Sequence, residues 1–122
     1  MKRQNDAVQI YTDGSAGGRV AWFRQDTQER HVEDIPGLTN NEAEYRAILS
    51  ALVSLPNGTH VEVMSDSTVC VMQLLDKYRV LEPRLVDLKQ QILALVAKKK
   101  LTFTPKWVSR HDNLAGRLLS GR

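Results

Sequence analysis

Three acidic residues stand where chain elements begin or end. Asp13 closes an apolar run and is followed by Gly14-Ser15, Glu44 lies in the first turn of the clearest helix, and Asp66 follows the run Val61–Ser65. Glu44 precedes Ala47, Ile48, Ala51, Leu52 and Leu55 by 3, 4, 7, 8 and 11 residues, which puts its carboxylate on the inward apolar face. A buried acid needs a partner or a cation. Each acid also has a local explanation. Asn41 as N-cap with Glu44 three residues later fits a capping box, Asp13 suits a turn, and Asp66 or Ser67 can cap the following helix. Taken jointly the acids point further. If the strands ending at Asp13 and Asp66 pair in parallel, their ends are neighbours, and the first turn of the helix can pack over them. Three carboxylates with no basic residue beside them repel one another unless cations neutralise them. Oxygen-only ligands favour magnesium or manganese over zinc. Two such ions can activate water and stabilise a leaving oxygen in phosphodiester cleavage.

The elements that must position these acids follow from periodicity and breakers. Strands are expected at 8–12, 20–23 and 28–34, with glycine or polar turns between them, so an antiparallel meander comes first. A helix follows at 41–54, closed by Pro56-Asn57-Gly58. A strand is expected at 60–65, a helix at 68–77, and a longer helix opened by Glu82-Pro83, with proline in its first turn. Lys98-Lys99-Lys100 ends that helix, where positive charge suits the dipole and the face is read as solvated. The last strand is expected at 101–108 and a short helix from 113 or 114 to 119. The order β-β-β-α-β-α-α-β-α predicts a mixed α/β fold: one five-stranded mixed sheet, hairpins first, with helices packed on it. Trp22 and Trp107 are read as packing residues and Gln73 as a surface residue, and His31 and His60 receive no role.

The chain has 122 residues, 42% apolar and 25% charged. That length supports a single domain, 1–122, with one core. No run of eighteen apolar residues marks a membrane span, and the polar start, residues 1–6, does not read as a signal peptide. One cysteine, Cys70, excludes an internal disulfide or a cysteine-built zinc site and fits a cytoplasmic setting. Residues 1–61 carry 6 basic and 8 acidic side chains, net −2, and residues 62–122 carry 11 and 6, net +5. The mild basic bias suits a polyanionic partner, and no obligate protein partner is evident.

Four stretches together resemble type 1 ribonuclease H, within the ribonuclease H-like superfamily. They are Ile10-Tyr11-Thr12-Asp13-Gly14-Ser15, Thr39-Asn40-Asn41-Glu42-Ala43-Glu44-Tyr45, Met64-Ser65-Asp66-Ser67, and Trp107-Val108-Ser109-Arg110-His111 with Asn113. The resemblance runs from about residue 8 to 119. It implies a metal-dependent endonuclease that hydrolyses the RNA strand of RNA–DNA hybrids. The catalytic and metal residues would be Asp13, Glu44 and Asp66, holding two magnesium or manganese ions. Asn41 would lie near the hybrid's sugar-phosphate surface, and Gly14, Ser15, Ser67 and Asn113 join the substrate-binding set. His111 occupies the place of a mobile histidine or glutamate that helps protons move or product leave, and imidazole titrates near neutral pH. Lys77-Tyr78-Arg79, with Arg84, offers a basic-aromatic patch for the DNA strand's backbone. The family's fourth carboxylate, four residues after the asparagine, is replaced by Arg117, which could touch a phosphate, displace a metal or face solvent. Three outcomes remain open: a three-carboxylate site, substitution by Asp112, or binding with weak or no cleavage. Retained cleavage is the expected one.

Overall fold

The computed structural model describes residues 7–120; the polar start at 1–6 lies outside them. Five strands form one sheet: β1 (Val8–Ser15), β2 (Arg19–Arg24), β3 (Arg30–Asp34), β4 (His60–Ser65) and β5 (Thr102–Trp107). Their order across the sheet is β3-β2-β1-β4-β5. β1 is antiparallel to β2, and β2 to β3. β4 lies parallel to both β1 and β5. The mixed five-stranded α/β architecture expected from the sequence is therefore the one observed.

Helix α1 (Asn40–Val53) connects β3 to β4, α2 (Thr68–Leu74) and α3 (Pro83–Lys99) connect β4 to β5, and α4 (Gly116–Ser120) follows β5 after a 3-10 turn at Arg110–Asp112. The core lies between the sheet and the helices. Ile10, Val61 and Val63 of the central strands meet Tyr45, Ile48 and Leu52 of α1 and Leu85, Leu88 and Ile92 of α3. No helix among the described residues is long and apolar enough to cross a membrane.

Several boundaries differ from the periodicity. The third strand starts at Arg30 because Gln28 has a left-handed backbone, φ 64°, which extends the preceding turn. α2 stops at Leu74, three residues early, because Asp76 is also left-handed (φ 60°) and the Lys77 and Tyr78 amides fold back onto the Met72 carbonyl. The cap of α1 is corrected most consequentially. Thr39, not Asn41, is the N-cap, and Glu42, not Glu44, completes the capping box: the Thr39 hydroxyl accepts from the Glu42 amide and Glu42 accepts from the Thr39 amide. This leaves Glu44 with no role in capping. Ser67, rather than Asp66, caps α2 by accepting the Cys70 amide.

Two further side chains depart from expectation. Lys99 is not solvated. Its ammonium donates to the carbonyls of Leu52, Val53 and Leu55 and so satisfies the open end of α1. Gln73 is buried and accepts from the Tyr45 hydroxyl at 2.7 Å. A fully buried phenol needs such an acceptor.

Candidate metal and nucleic-acid site

Parallel pairing of β1 with β4 sets the register Thr12↔Ser65, so Asp13 and Asp66 each stand one residue beyond that last pair. The two acids stand side by side where the parallel pairing ends, although β1 itself runs on past Asp13 to Ser15 by pairing with β2, beyond the end expected at residue 12. α1 delivers the third. Its first turn lies against Gly14 so closely that a Cβ there would come within 2.5 Å of the Glu44 backbone nitrogen. Only glycine permits this approach, and the Gly14 amide then donates to Glu44 Oε1 at 2.8 Å. One carboxylate oxygen from each of Asp13, Glu44 and Asp66 lies within 4.8 Å of the others.

The electrostatics of the trio follow from burial. Glu44 is only 5% exposed. Desolvation pushes its carboxyl up to about 8, and the charges of Asp13 and Asp66 add to the push. Asp13 is pushed up to about 6, by burial first and by Asp66 second, with the Gly14 amide and the Arg110 charge pulling the other way. The Asp13 side chain beside it adds to this upward push on the Glu44 carboxyl. Three oxygen donors this close, two of them reluctant to ionise, suit a hard divalent cation, which would offset their mutual repulsion.

Asn113 ties the chain's last segment to this centre. Fully buried, it donates from Nδ2 to the Thr12 carbonyl at 2.9 Å and to Asp66 Oδ2 at 3.4 Å, and its Oδ1 accepts the Ala115 amide. Its amide thus holds β1, β4 and the approach to α4 in one arrangement. Trp107, expected to pack, is 52% exposed, because β5 is an edge strand; its indole N–H donates to the Asp66 carbonyl.

A cleft of about 590 Å³ opens over Asp13, lined also by Ser15, Arg110, His111, Asn113, Gly116, Arg117 and Leu119. Of the residues singled out from sequence, Ser15, His111, Asn113 and Arg117 reach it. Asp112 is exposed on the 3-10 turn and is not among the acids that converge. Asn41 is exposed in the first turn of α1, the Gly14 amide is taken by Glu44, and the Ser67 hydroxyl caps α2. Lys77, Tyr78 and Arg79 line a second, open cleft with Asp76, Lys89 and Leu93. Arg84 is separate from them, 3.8 Å from Glu42 at the start of α1. Sequence reasoning missed Arg110, Gly116 and Leu119 as lining residues. Arg110 sits in the quoted stretch before His111, whereas nothing in sequence marks Gly116.

A family model described as RNase H matches residues 5–117. The chain belongs to the RNase H family. It carries a cluster of three carboxylates where the family pattern has four. Ribonuclease H of Anaeromyxobacter dehalogenans (strain 2CP-C) is 38% identical over 96 residues, 70% of this chain and 52% of that protein. Ribonuclease H of Anaeromyxobacter sp. (strain K) is 56% identical over 43 residues, 34% of this chain and 24% of that protein. The chain thus spans between 24% and 52% of these relatives. Among solved structures, the N-terminal RNase H domain of a Mycobacterium tuberculosis protein, fused to maltose-binding protein, is 29% identical with a TM-score of 0.77, covering 92% of this chain and 89% of that one. LC11-RNase H1, solved in complex with an RNA/DNA hybrid, is 27% identical with a TM-score of 0.81, covering 91% and 92%.

Proposed function

We propose that this RNase H domain binds RNA–DNA hybrids and cleaves the RNA strand weakly, with magnesium or manganese as cofactor. The observation that carries this is the convergence of Asp13, Glu44 and Asp66 to within 4.8 Å in a chain of this family. The missing fourth acid is the reason cleavage is expected to be slow. Full RNase H activity is the second reading, favoured by the intact trio.

Asp13, Glu44 and Asp66 would hold the cation. When bound, it supplies the charge that neutralises the trio and activates water for in-line attack on phosphorus. The residues around it do the rest. Gly14 fixes the Glu44 carboxylate, and Asn113 fixes Asp66. His111, exposed at the cleft, would pass a proton to the departing 3′-oxygen. Asn41, Ser15 and Ser67 would meet sugar and phosphate oxygens. Lys77 and Arg79 offer charge for the DNA backbone. The 2′-hydroxyls would distinguish the RNA strand. The lone cysteine, Cys70, is buried and free, which agrees with the cytoplasmic setting we assign.

The test uses end-labelled hybrid, DNA duplex and RNA duplex, with magnesium, with manganese and with EDTA. Slow cleavage of the hybrid's RNA strand alone is expected, abolished by EDTA and by Asp13→Asn and unaffected by Asp112→Ala. No binding of hybrid at low salt would refute the proposal.

A further inference from the structure

The cleft has an acidic floor and a basic wall. The part of α4 that faces Asp13 is Gly116: a Cβ added there would lie 3.3 Å from Asp13 Oδ2. That position therefore offers no side-chain oxygen to a cation. The side chains that line the cleft on either side of it in sequence are Arg110 and Arg117, both exposed. Neither forms an ion pair among the described residues, although acids lie close by. The Arg110 charge nonetheless reaches the Asp13 carboxylate.

A phosphodiester brings another negative charge to a floor that already has three acids. One divalent cation cannot balance all of these charges. A guanidinium offers a flat fork of donors that matches two non-bridging phosphate oxygens, and it stays charged at any working pH. Resting on the hybrid-binding function above, we propose that Arg110 and Arg117 seat the non-bridging oxygens of the phosphate lying over the trio. Arg117 takes the place of the family pattern's fourth carboxylate, so the three remaining acids hold one cation tightly.

The test is binding of a fluorescein-labelled RNA–DNA hybrid in EDTA across a salt series, with wild type and the Arg110→Ala/Arg117→Ala double variant. Each phosphate contact adds about one to the slope of log affinity against log salt. The double variant is expected to lose about two from that slope and to bind at least tenfold more weakly at low salt. An Arg110→Lys/Arg117→Lys variant should keep the slope but lose part of the affinity, since an ammonium lacks the fork. The Lys98→Ala/Lys100→Ala variant, altered at the far end of α3, should match wild type. Manganese titration of the free protein should give one tight site per chain. Two sites of similar affinity, or a double variant with the wild-type slope, would overturn the arginine seat while leaving hybrid binding in place. Absence of hybrid binding by wild type would overturn both. Far-UV circular dichroism checks that the variants are folded.

Discussion

Replacing Glu44 with glutamine should stabilise the metal-free protein, and by an amount that depends on pH. The amide keeps an oxygen for the Gly14 N–H but cannot ionise. The wild-type carboxyl sits at about 8 when folded, against 4.5 for the free side chain. The folded state therefore binds this proton more tightly than the unfolded chain does. The associated stability is fully present below about 4.5 and is lost as pH rises through about 8. Each unit is worth about 1.4 kcal/mol, so complete ionisation opposes folding by up to roughly 5 kcal/mol. Water entering the open cleft screens the cluster, and about half of that, roughly 2 kcal/mol, is expected to remain. For a domain of this size it corresponds to about 8 °C in melting temperature. The assay is thermal unfolding of both proteins by circular dichroism in EDTA from pH 4.5 to 9. The curves should coincide near pH 4.5 and separate steadily, Glu44→Gln being the more stable at pH 8.5. Adding magnesium should raise wild type and leave the variant nearly unchanged. Equal melting temperatures at pH 8.5 in EDTA would refute the claim that the three acids repel one another in a buried cluster.

Other substitutions probe the scaffold. Gly14→Ala forces a methyl into the α1 backbone and should cost several kcal/mol in urea unfolding, with manganese affinity lost. Asn113→Leu leaves the Thr12 carbonyl and the Ala115 amide unpaired; about 2–3 kcal/mol of stability should go, together with ordered packing of α4, read by proteolysis of the C-terminal segment. Lys99→Met removes the bonds that close α1 and should lower the urea midpoint by an amount equal to about 1–2 kcal/mol. Arg117→Asp puts a carboxyl at the place of the family's fourth acid and should tighten manganese binding to the free protein, as measured by calorimetry.

The three acids and the strand order were legible because both rest on local signals. Asp13 and Asp66 follow apolar runs and Glu44 lies near the start of a helical period, and short connections favour hairpins before crossovers. The cap of α1 was not legible. Thr39-Asn40-Asn41-Glu42-Ala43-Glu44 contains two overlapping cap-to-glutamate spacings, and only the approach of Gly14 to the helix distinguishes them. Asn113 was quoted as a motif residue, yet its buried bonds reach the Thr12 carbonyl 101 positions away and Asp66 47 positions away, which no local pattern encodes. Trp107 looked like core because its composition is apolar; its exposure comes from the edge position of β5, a property of topology. Arg117, four residues after Asn113, was legible as the residue in place of the fourth acid, and it lines the cleft over Asp13; the close approach of Gly116 to Asp13 was not, because it depends on how α4 packs against β1.

The hydrogen bond from Asn113 to the Thr12 carbonyl spans 101 positions of the chain. During translation, therefore, the ribosome must release almost all of this domain before its two ends can clasp. Until then the emerging polypeptide holds its acids without the amide that orients Asp66. The acid cluster is therefore completed last, when the final segment arrives to join β1 and Asp66.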